Sequence, residues 1–157
     1  MVYFFLLSGL FIGWSMGAND TGNIFGAAVS TRMIKFRQAA LIASIFYTLG
    51  AFLEGSGPSG TLGRLGSIDA IGGAFTVALA AALAIVAIVR FGIPVAVSQT
   101  IVGAIIGWNY FSGHITDFNS LITIASSWII AFIVSAAIAA LFFYPVRWWI
   151  NRSRLHL

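Results

Sequence analysis

The sequence predicts an all-α integral membrane protein. Hydrophobic residues make up 60% of the 157 residues and charged residues only 8%, and the mean hydropathy is +1.00. This composition is typical of helices that cross a bilayer and not of a soluble core. The apolar residues also fall in long runs, and most of the charges lie between the runs. We therefore expect one transmembrane domain over residues 1–157, with a basic tail over 145–157.

Five apolar runs predict about five transmembrane segments, including broken or half helices. A straight helix needs roughly 20 residues to cross about 30 Å of hydrocarbon. The first run is well over that length, so it must tilt strongly or break. A break is expected over Gly17–Asn23, because Gly, Asn and Asp favour non-helical turns. The runs extend from about Val2 to Ser30, Gln38 to Leu53, Ile71 to Val89, Ile93 to Phe111 and Leu121 to Tyr144.

The basic residues between the runs predict the orientation in the membrane. If alternate loops are cytoplasmic, seven of the eight lie inside, as the positive-inside rule requires. The N-terminus is then outside and the tail is cytoplasmic, at the cell (inner) membrane. The basic residues are Arg32, Lys35, Arg37, Arg64, Arg90, Arg147, Arg152 and Arg154.

An odd number of segments also has a topological consequence. A second copy of such a unit, appended in sequence, would enter the membrane upside down, which is how inverted-repeat transporters are built. No internal repeat is visible within these residues. The chain is therefore expected to be one repeat, paired with a second inverted half or with another copy of itself in a homodimer.

The first run contains a polar motif between Gly17 and Gly26, with Asn19, Asp20 and Asn23 as its strongest hydrogen-bonding residues. Hydrocarbon offers no water to a carboxylate, so such residues persist at this depth where they face protein, an ion, a substrate or a wet cavity. Glycines at four-residue spacing, beginning at Gly9, further predict close helix packing.

A second polar stretch opens the fourth run, where Ser98, Gln99 and Thr100 follow Pro94. Proline is tolerated in the first turn of a helix, so a helix that begins near Val95 is expected. If the chain is broken there, the free N–H groups of the first turn favour an anion. Helix rise places both polar stretches near the membrane midplane, the usual depth of a transporter site.

These polar groups predict a paired cation and oxyanion. Amides, hydroxyls and N–H groups donate to an oxyanion, whereas the Asp20 carboxylate repels one unless a cation lies between them or the anion gives up a proton. Interhelical hydrogen bonds in a small scaffold without a substrate are the alternative. A hydrolase with Ser98 as nucleophile is disfavoured, because no base or second intramembrane carboxylate accompanies it.

The motifs resemble those of a known family. Gly17 to Asn23 looks like the GANDxxN signature of the inorganic phosphate transporter (PiT) family, the sodium- or proton-coupled phosphate symporters. Ile101 to Gly107 is similar to the IVGAxxG run of that family's second block. Family members contain these motifs twice, in two inverted halves, so the resemblance implies that this chain corresponds to the N-terminal half.

The resemblance implies cation-coupled symport of inorganic phosphate. Gln99 stands where the family has a titratable His, which favours Na⁺ over H⁺ as the coupling ion, although H⁺ stays open. Gly22 stands where many members have Ala. The implied ligands are Asn19, Asp20 and Asn23 for the cation, with Na⁺ held by Asn19 and Asp20, and Asp20, Asn23, Ser98, Gln99 and Thr100 for phosphate.

Other functions are less compatible with the sequence. It contains no cysteine, and its two histidines, His114 and His156, are too far apart to indicate a metal pair. We expect no enzymatic activity, no cofactor beyond the coupling ion and no nucleic-acid partner. The bilayer and its headgroups are the expected contacts of the basic residues.

Overall fold

The computed structural model describes residues 2–66 and 71–153, and all regular structure within them is helical. Three of the helices are long and apolar enough to cross a membrane, namely α2, α4 and α6. The all-α membrane class is thereby confirmed, whereas the inverted repeat stays a prediction. The helices are α1 (Val2–Ser30), α2 (Phe36–Glu54), α3 (Ser56–Leu65), α4 (Ile71–Val89), α5 (Val97–Ser112) and α6 (Phe118–Arg152).

The chain divides into two compact units, residues 1–117 and 118–157. Within the described part of the second unit lies α6, a 35-residue helix with Pro145 inside it. At 1.5 Å per residue this helix is about 52 Å long, well beyond the thickness of the hydrocarbon layer. Residues 145–152, expected as the start of a basic tail, continue the helix. There Arg152 lies 5.3 Å from the centre of the Trp148 ring, whereas Arg154 and His156 lie outside the described residues.

The first helix corrects one prediction. α1 is a continuous helix of 29 residues through Gly17–Asn23, so the break expected there is wrong. At about 43 Å it is longer than the hydrocarbon layer is thick. A Cβ added at Gly9, Gly13 or Gly17 would meet nothing within 4 Å in this unit, so the close helix packing expected of these glycines stays a prediction.

α4 is the principal packing partner of α1. The rings of Phe4 and Phe75 stack with centres 5.2 Å apart, and these residues lie near the beginnings of α1 and α4. The two helices therefore run in parallel. The apolar core of the unit is mainly on α4, where Val77, Ala81, Ala82 and Ile85 are buried.

The chain is broken between α4 and α5. After Gly92, which has a positive φ of 72°, the backbone extends to Ala96 (φ −79°, ψ 101°), and α5 begins at Val97. With 16 residues, α5 is about 24 Å long and cannot cross about 30 Å of hydrocarbon alone. α5 therefore has the length of a half helix, a feature that the sequence predicts without assigning it to a segment.

The far end of α5 returns to the beginning of α4. A Cβ added at Gly73 would lie 2.8 Å from the Trp108 ring, so α5 runs antiparallel to α4. α5 ends in a left-handed cap at Gly113 (φ 75°). The residues after α2 form the short helix α3, although their Gly, Ser and Pro content is typical of a loop.

Candidate functional site

Asn19 joins α1 to the break before α5. Its side-chain Nδ2 donates to the carbonyl of Val95 at 2.9 Å, and its Oδ1 accepts the Val95 N–H at 3.0 Å. The residue is only 4% exposed. A non-helical peptide at membrane depth must have its polar groups satisfied by protein or by water. The Asn19 amide does this for Val95, and so fixes the start of α5 beside the polar motif of α1.

Asp20 is half-buried and hydrogen-bonded to protein on two sides. Asn19 Nδ2 donates to its Oδ1 at 2.7 Å, a length typical of a charge-assisted hydrogen bond. On the other side, Tyr47 of α2 makes a side-chain hydrogen bond to the same carboxylate. In this arrangement the charge of Asp20 is stabilised by an amide and a phenol from two different helices.

Asn23 lies one turn further along α1 than Asn19, on the same side of the helix. Its side chain is exposed and makes no hydrogen bond within the described part of the chain. An amide oxygen and a neighbouring carboxylate are ligands that suit a hard cation. No group of three His, Cys, Asp or Glu side chains lies together in residues 2–66 and 71–153.

The three polar residues at the start of α5 differ in whether their side chains already make a hydrogen bond. Ser98 and Gln99 are exposed, and their side chains make no hydrogen bond to the residues described. The Thr100 hydroxyl instead donates to the carbonyl of Ala96 within its own helix, at 3.1 Å. Ser98 and Gln99 are therefore available to a ligand, whereas Thr100 would have to give up an intrahelical hydrogen bond before donating to one.

The N-terminus of α5 adds backbone donors. No side chain caps it, and its first main-chain hydrogen bond runs from Thr100 N–H to Ala96 at 3.1 Å. The N–H groups of the preceding turn have no acceptor within an α-helix, and they lie at the positive end of its dipole. Ser98 is three positions after Val95, so their Cα atoms are at most about 11 Å apart.

The structure thus brings the two predicted polar stretches together through Asn19 and Val95. It also adds Tyr47, which the sequence reasoning missed. A signal for it existed: Ser44, Tyr47 and Thr48 are spaced three and four residues apart, so they form a polar patch on one face of an otherwise apolar α2. The role of Val95 is in its backbone and has no signature in the sequence.

A groove of about 1230 Å³ lies between α1 and α2. Small residues form much of its wall, and Tyr47 lies in it as well. Asn19 and Asp20 do not line this groove, so the volume is adjacent to the polar site and is not the site itself. The small residues of the wall include Gly13, Gly17, Ala39, Ala43 and Ser44.

Comparison with known proteins identifies the family. A model described as the phosphate transporter family matches residues 16–157, a range that includes both polar stretches. No solved structure matches the chain significantly.

Three relatives illustrate the similarity. A protein named as a candidate phosphate permease in Chlamydia pneumoniae is 33% identical over 94% of this chain and 37% of its own length. A similarly named protein of Pyrococcus abyssi is 31% identical over 90% of the chain and 38% of its own. The chloroplastic inorganic phosphate transporter 2-1 of Arabidopsis thaliana is 28% identical over 92% of this chain and 27% of its own length.

The chain thus spans less than two fifths of the length of each of these relatives. The family is one of transporters and permeases and not of enzymes. With apolar helices long enough to cross a bilayer and a family match over most of its length, this multi-pass membrane chain belongs to the phosphate transporter family.

Proposed function

We propose that this chain supplies one half of the site of a cation-coupled symporter for inorganic phosphate, with Na⁺ as the coupling ion. One observation supports this most strongly. The paired hydrogen bonds between Asn19 and Val95 hold the start of α5 beside the only carboxylate of the α1 motif. Donors for an oxyanion and a ligand for a cation therefore lie next to each other.

Asp20 is the proposed centre of the cation site. A single carboxylate with amide oxygens nearby is a ligand set for a hard cation. Asn23 is exposed one turn away, and the Oδ1 atom of Asn19, which accepts one hydrogen bond, keeps a second lone pair. Na⁺ is favoured over H⁺ because Gln99 offers no titratable group beside α5.

The phosphate is proposed to bind at the beginning of α5. Ser98 and Gln99 would donate from their side chains, together with the N–H groups of the first turn. Thr100 would join them by turning its hydroxyl away from Ala96. Asp20 and Asn23 complete the proposed ligands, and a bound cation would remove the repulsion between the Asp20 carboxylate and the anion.

The remaining proposals concern the assembly. We propose an N-terminus outside, a cytoplasmic C-terminal end and a location in the inner membrane, as the basic residues favour. The chain is proposed to work with a second inverted half, or with another copy in a homodimer. α5 supports this pairing, because a helix of about 24 Å leaves the other side of the bilayer to other protein.

The substitution Asp20→Asn tests the site. We expect Na⁺-driven uptake of inorganic phosphate into proteoliposomes to fall to background, because the cation loses its only charged ligand on α1. Glu54→Gln is the matched control, since Glu54 is an exposed carboxylate at the end of α2 and should leave uptake unchanged. Wild-type uptake in the Asp20→Asn variant would show that the assignment is wrong.

A substrate-free helical scaffold makes a different prediction in the same system. It predicts that wild-type protein neither takes up phosphate nor binds it in titration calorimetry, with or without Na⁺. That result would overturn the proposed transport function as a whole, and not only the role of Asp20.

A further inference from the structure

The Asn19 side chain holds three hydrogen bonds that connect two different parts of the site. Both of its N–H donors are used, one to Asp20 Oδ1 at 2.7 Å and the other to the Val95 carbonyl at 2.9 Å. Its oxygen accepts the Val95 N–H at 3.0 Å. Because the amide is planar, these contacts share one rigid group, which cannot rotate to improve one of them without weakening another.

We propose that Asn19 is a positioning residue that couples the Asp20 carboxylate to the start of α5. This proposal rests on the proposed function, because it requires a cation at Asp20 and phosphate at α5. It goes beyond a ligand role, since the amide acts on phosphate binding through the backbone of Val95 and not through contact with the anion.

The coupling follows from competition for one oxygen. A cation that binds Asp20 Oδ1 repels the N–H group that now donates to it, because both are electropositive. The amide must then shift, and its two bonds to Val95 shift with it. Ser98 and Gln99 follow Val95 within four residues, so the donors at the start of α5 adopt a position that depends on the cation.

Burial makes the connection effective. Asn19 is 4% exposed, so water has little access to replace a lost hydrogen bond, and an unsatisfied peptide at this depth is costly. The extended backbone before α5 has no ladder or helix bonds of its own at Val95, whose N–H and carbonyl both pair with Asn19. The amide therefore decides where this segment lies.

The connection is measured as the effect of Na⁺ on the affinity of the protein for phosphate. We define the coupling ratio as the phosphate Kd without Na⁺ divided by the Kd in saturating Na⁺, determined by titrating inorganic phosphate into the purified, full-length protein. Coupling between sites is typically about 5- to 150-fold. We expect the wild-type ratio in that range and a ratio near one in Asn19→Ser.

Serine is the informative replacement because its hydroxyl has a single donor. It can donate to Asp20 or to the Val95 carbonyl, but not to both, and it ends one bond short of the amide that now reaches both groups, so polarity is kept while the connection is lost. Ser15→Ala is the matched control. Ser15 lies one turn earlier on the same buried side of α1, with 1% exposure, and its hydroxyl bonds only to Ile12 of its own helix at 2.8 Å.

The outcomes separate the coupling from the proposed function. Phosphate and Na⁺ each still binding to Asn19→Ser, with a ratio near one, and an unchanged ratio in Ser15→Ala support the coupling. A wild-type ratio in Asn19→Ser overturns it, as does complete loss of Na⁺ binding, because a ratio near one would then follow from the missing cation alone. Absence of phosphate binding to the wild-type protein overturns the proposed function instead.

A second measurement applies if Asn19→Ser does not fold. The chain contains no cysteine, so Pro94→Cys introduces a single thiol next to Val95, at a residue that is exposed. We expect saturating Na⁺ to change its rate of reaction with a maleimide at least about fivefold, in line with the lower end of typical couplings. An unchanged rate in protein that binds Na⁺ overturns the coupling.

Discussion

Two asparagines hold the two ends of α5, and their surroundings differ. Asn19 fixes the extended backbone before the helix, through the N–H and the carbonyl of Val95. Asn109 lies near the other end and donates from Nδ2 to the carbonyl of Leu65, at the end of α3, at 3.3 Å. Both are almost fully buried, with exposures of 4% and 0%, and both satisfy backbone groups where a helix begins or ends.

The difference lies in the remaining contacts. Asn19 also donates to the carboxylate of Asp20. Exposed polar residues follow in both helices, Asn23 in α1 and Ser98 and Gln99 in α5. Asn109 instead donates to the Thr116 hydroxyl at 3.0 Å, and its Oδ1 has no hydrogen-bond partner among the residues that the structure describes. A buried amide in a membrane protein is therefore not itself a sign of a binding site. A charge beside it, with open polar groups nearby, distinguishes Asn19 from Asn109.

The largest effect is expected from Asn109→Asp. The change places a carboxylate in a fully buried position, in place of an amide that donates to Leu65 and Thr116, and an uncompensated buried charge costs about 3–5 kcal/mol. We expect a loss of about 3 kcal/mol in the free energy of unfolding, measured by reversible denaturation in detergent micelles. Asn151→Asp is the control, because the Asn151 side chain is exposed in the last turn of α6. Equal stability of the two variants would mean that the Asn109 site is accessible to water.

A smaller effect is expected from Gly66→Ala. A Cβ at this position would lie 2.6 Å from Asn109 Nδ2, so the amide would have to move away from Leu65 and Thr116. Overpacking of this kind costs about 1–3 kcal/mol. Gly63→Ala, in the same segment, would meet nothing within 4 Å and should not reduce the midpoint of thermal unfolding. Similar midpoints for both variants would contradict the close packing of Gly66 on Asn109.

The sequence predicts the membrane class and the polar motifs, because a carboxylate and amides in an apolar run are visible without a structure. It wrongly predicts a break in α1, over Gly17–Asn23. Asn and Asp favour turns when their side chains bond to nearby backbone, but Asn19 bonds to Val95, 76 residues away in the chain, and Asp20 bonds to Asn19 and Tyr47. With those competing local bonds gone, α1 stays helical, and the tertiary contact overrides the local propensity.

The break before α5 has signals of its own, which already predict a helix start near Val95. Gly92 adopts a positive φ, and Pro94 lacks an N–H and disfavours a helical conformation at the residue before it. At α3 the opposite happens, and a helix forms where the composition is typical of a loop. Its Gly, Ser and Pro content predicts a loop, yet Pro58 falls in the first turn, where the missing N–H costs nothing.

The smallest effect is expected from Tyr47→Phe, which removes the hydroxyl that bonds to Asp20. Interhelical hydrogen bonds in membrane proteins contribute about 0.6 kcal/mol on average, so the midpoint of thermal unfolding should fall only slightly. Tyr110→Phe is the matched control, because Tyr110 is 91% exposed and lies next to Asn109, so loss of its hydroxyl should not change the midpoint.

Tyr47→Phe and Tyr110→Phe also test whether only the Asn19 end of α5 responds to the cation. The Tyr47 hydroxyl and a cation at Asp20 would use the same carboxylate, so saturating Na⁺ should raise the midpoint of Tyr47→Phe by more than that of the wild type or of Tyr110→Phe. In Tyr47→Phe the cation no longer displaces a hydrogen bond when it binds. Equal shifts in all three proteins would mean that Tyr47 and the cation do not compete, and that Asp20 offers the cation an oxygen that the tyrosine leaves free.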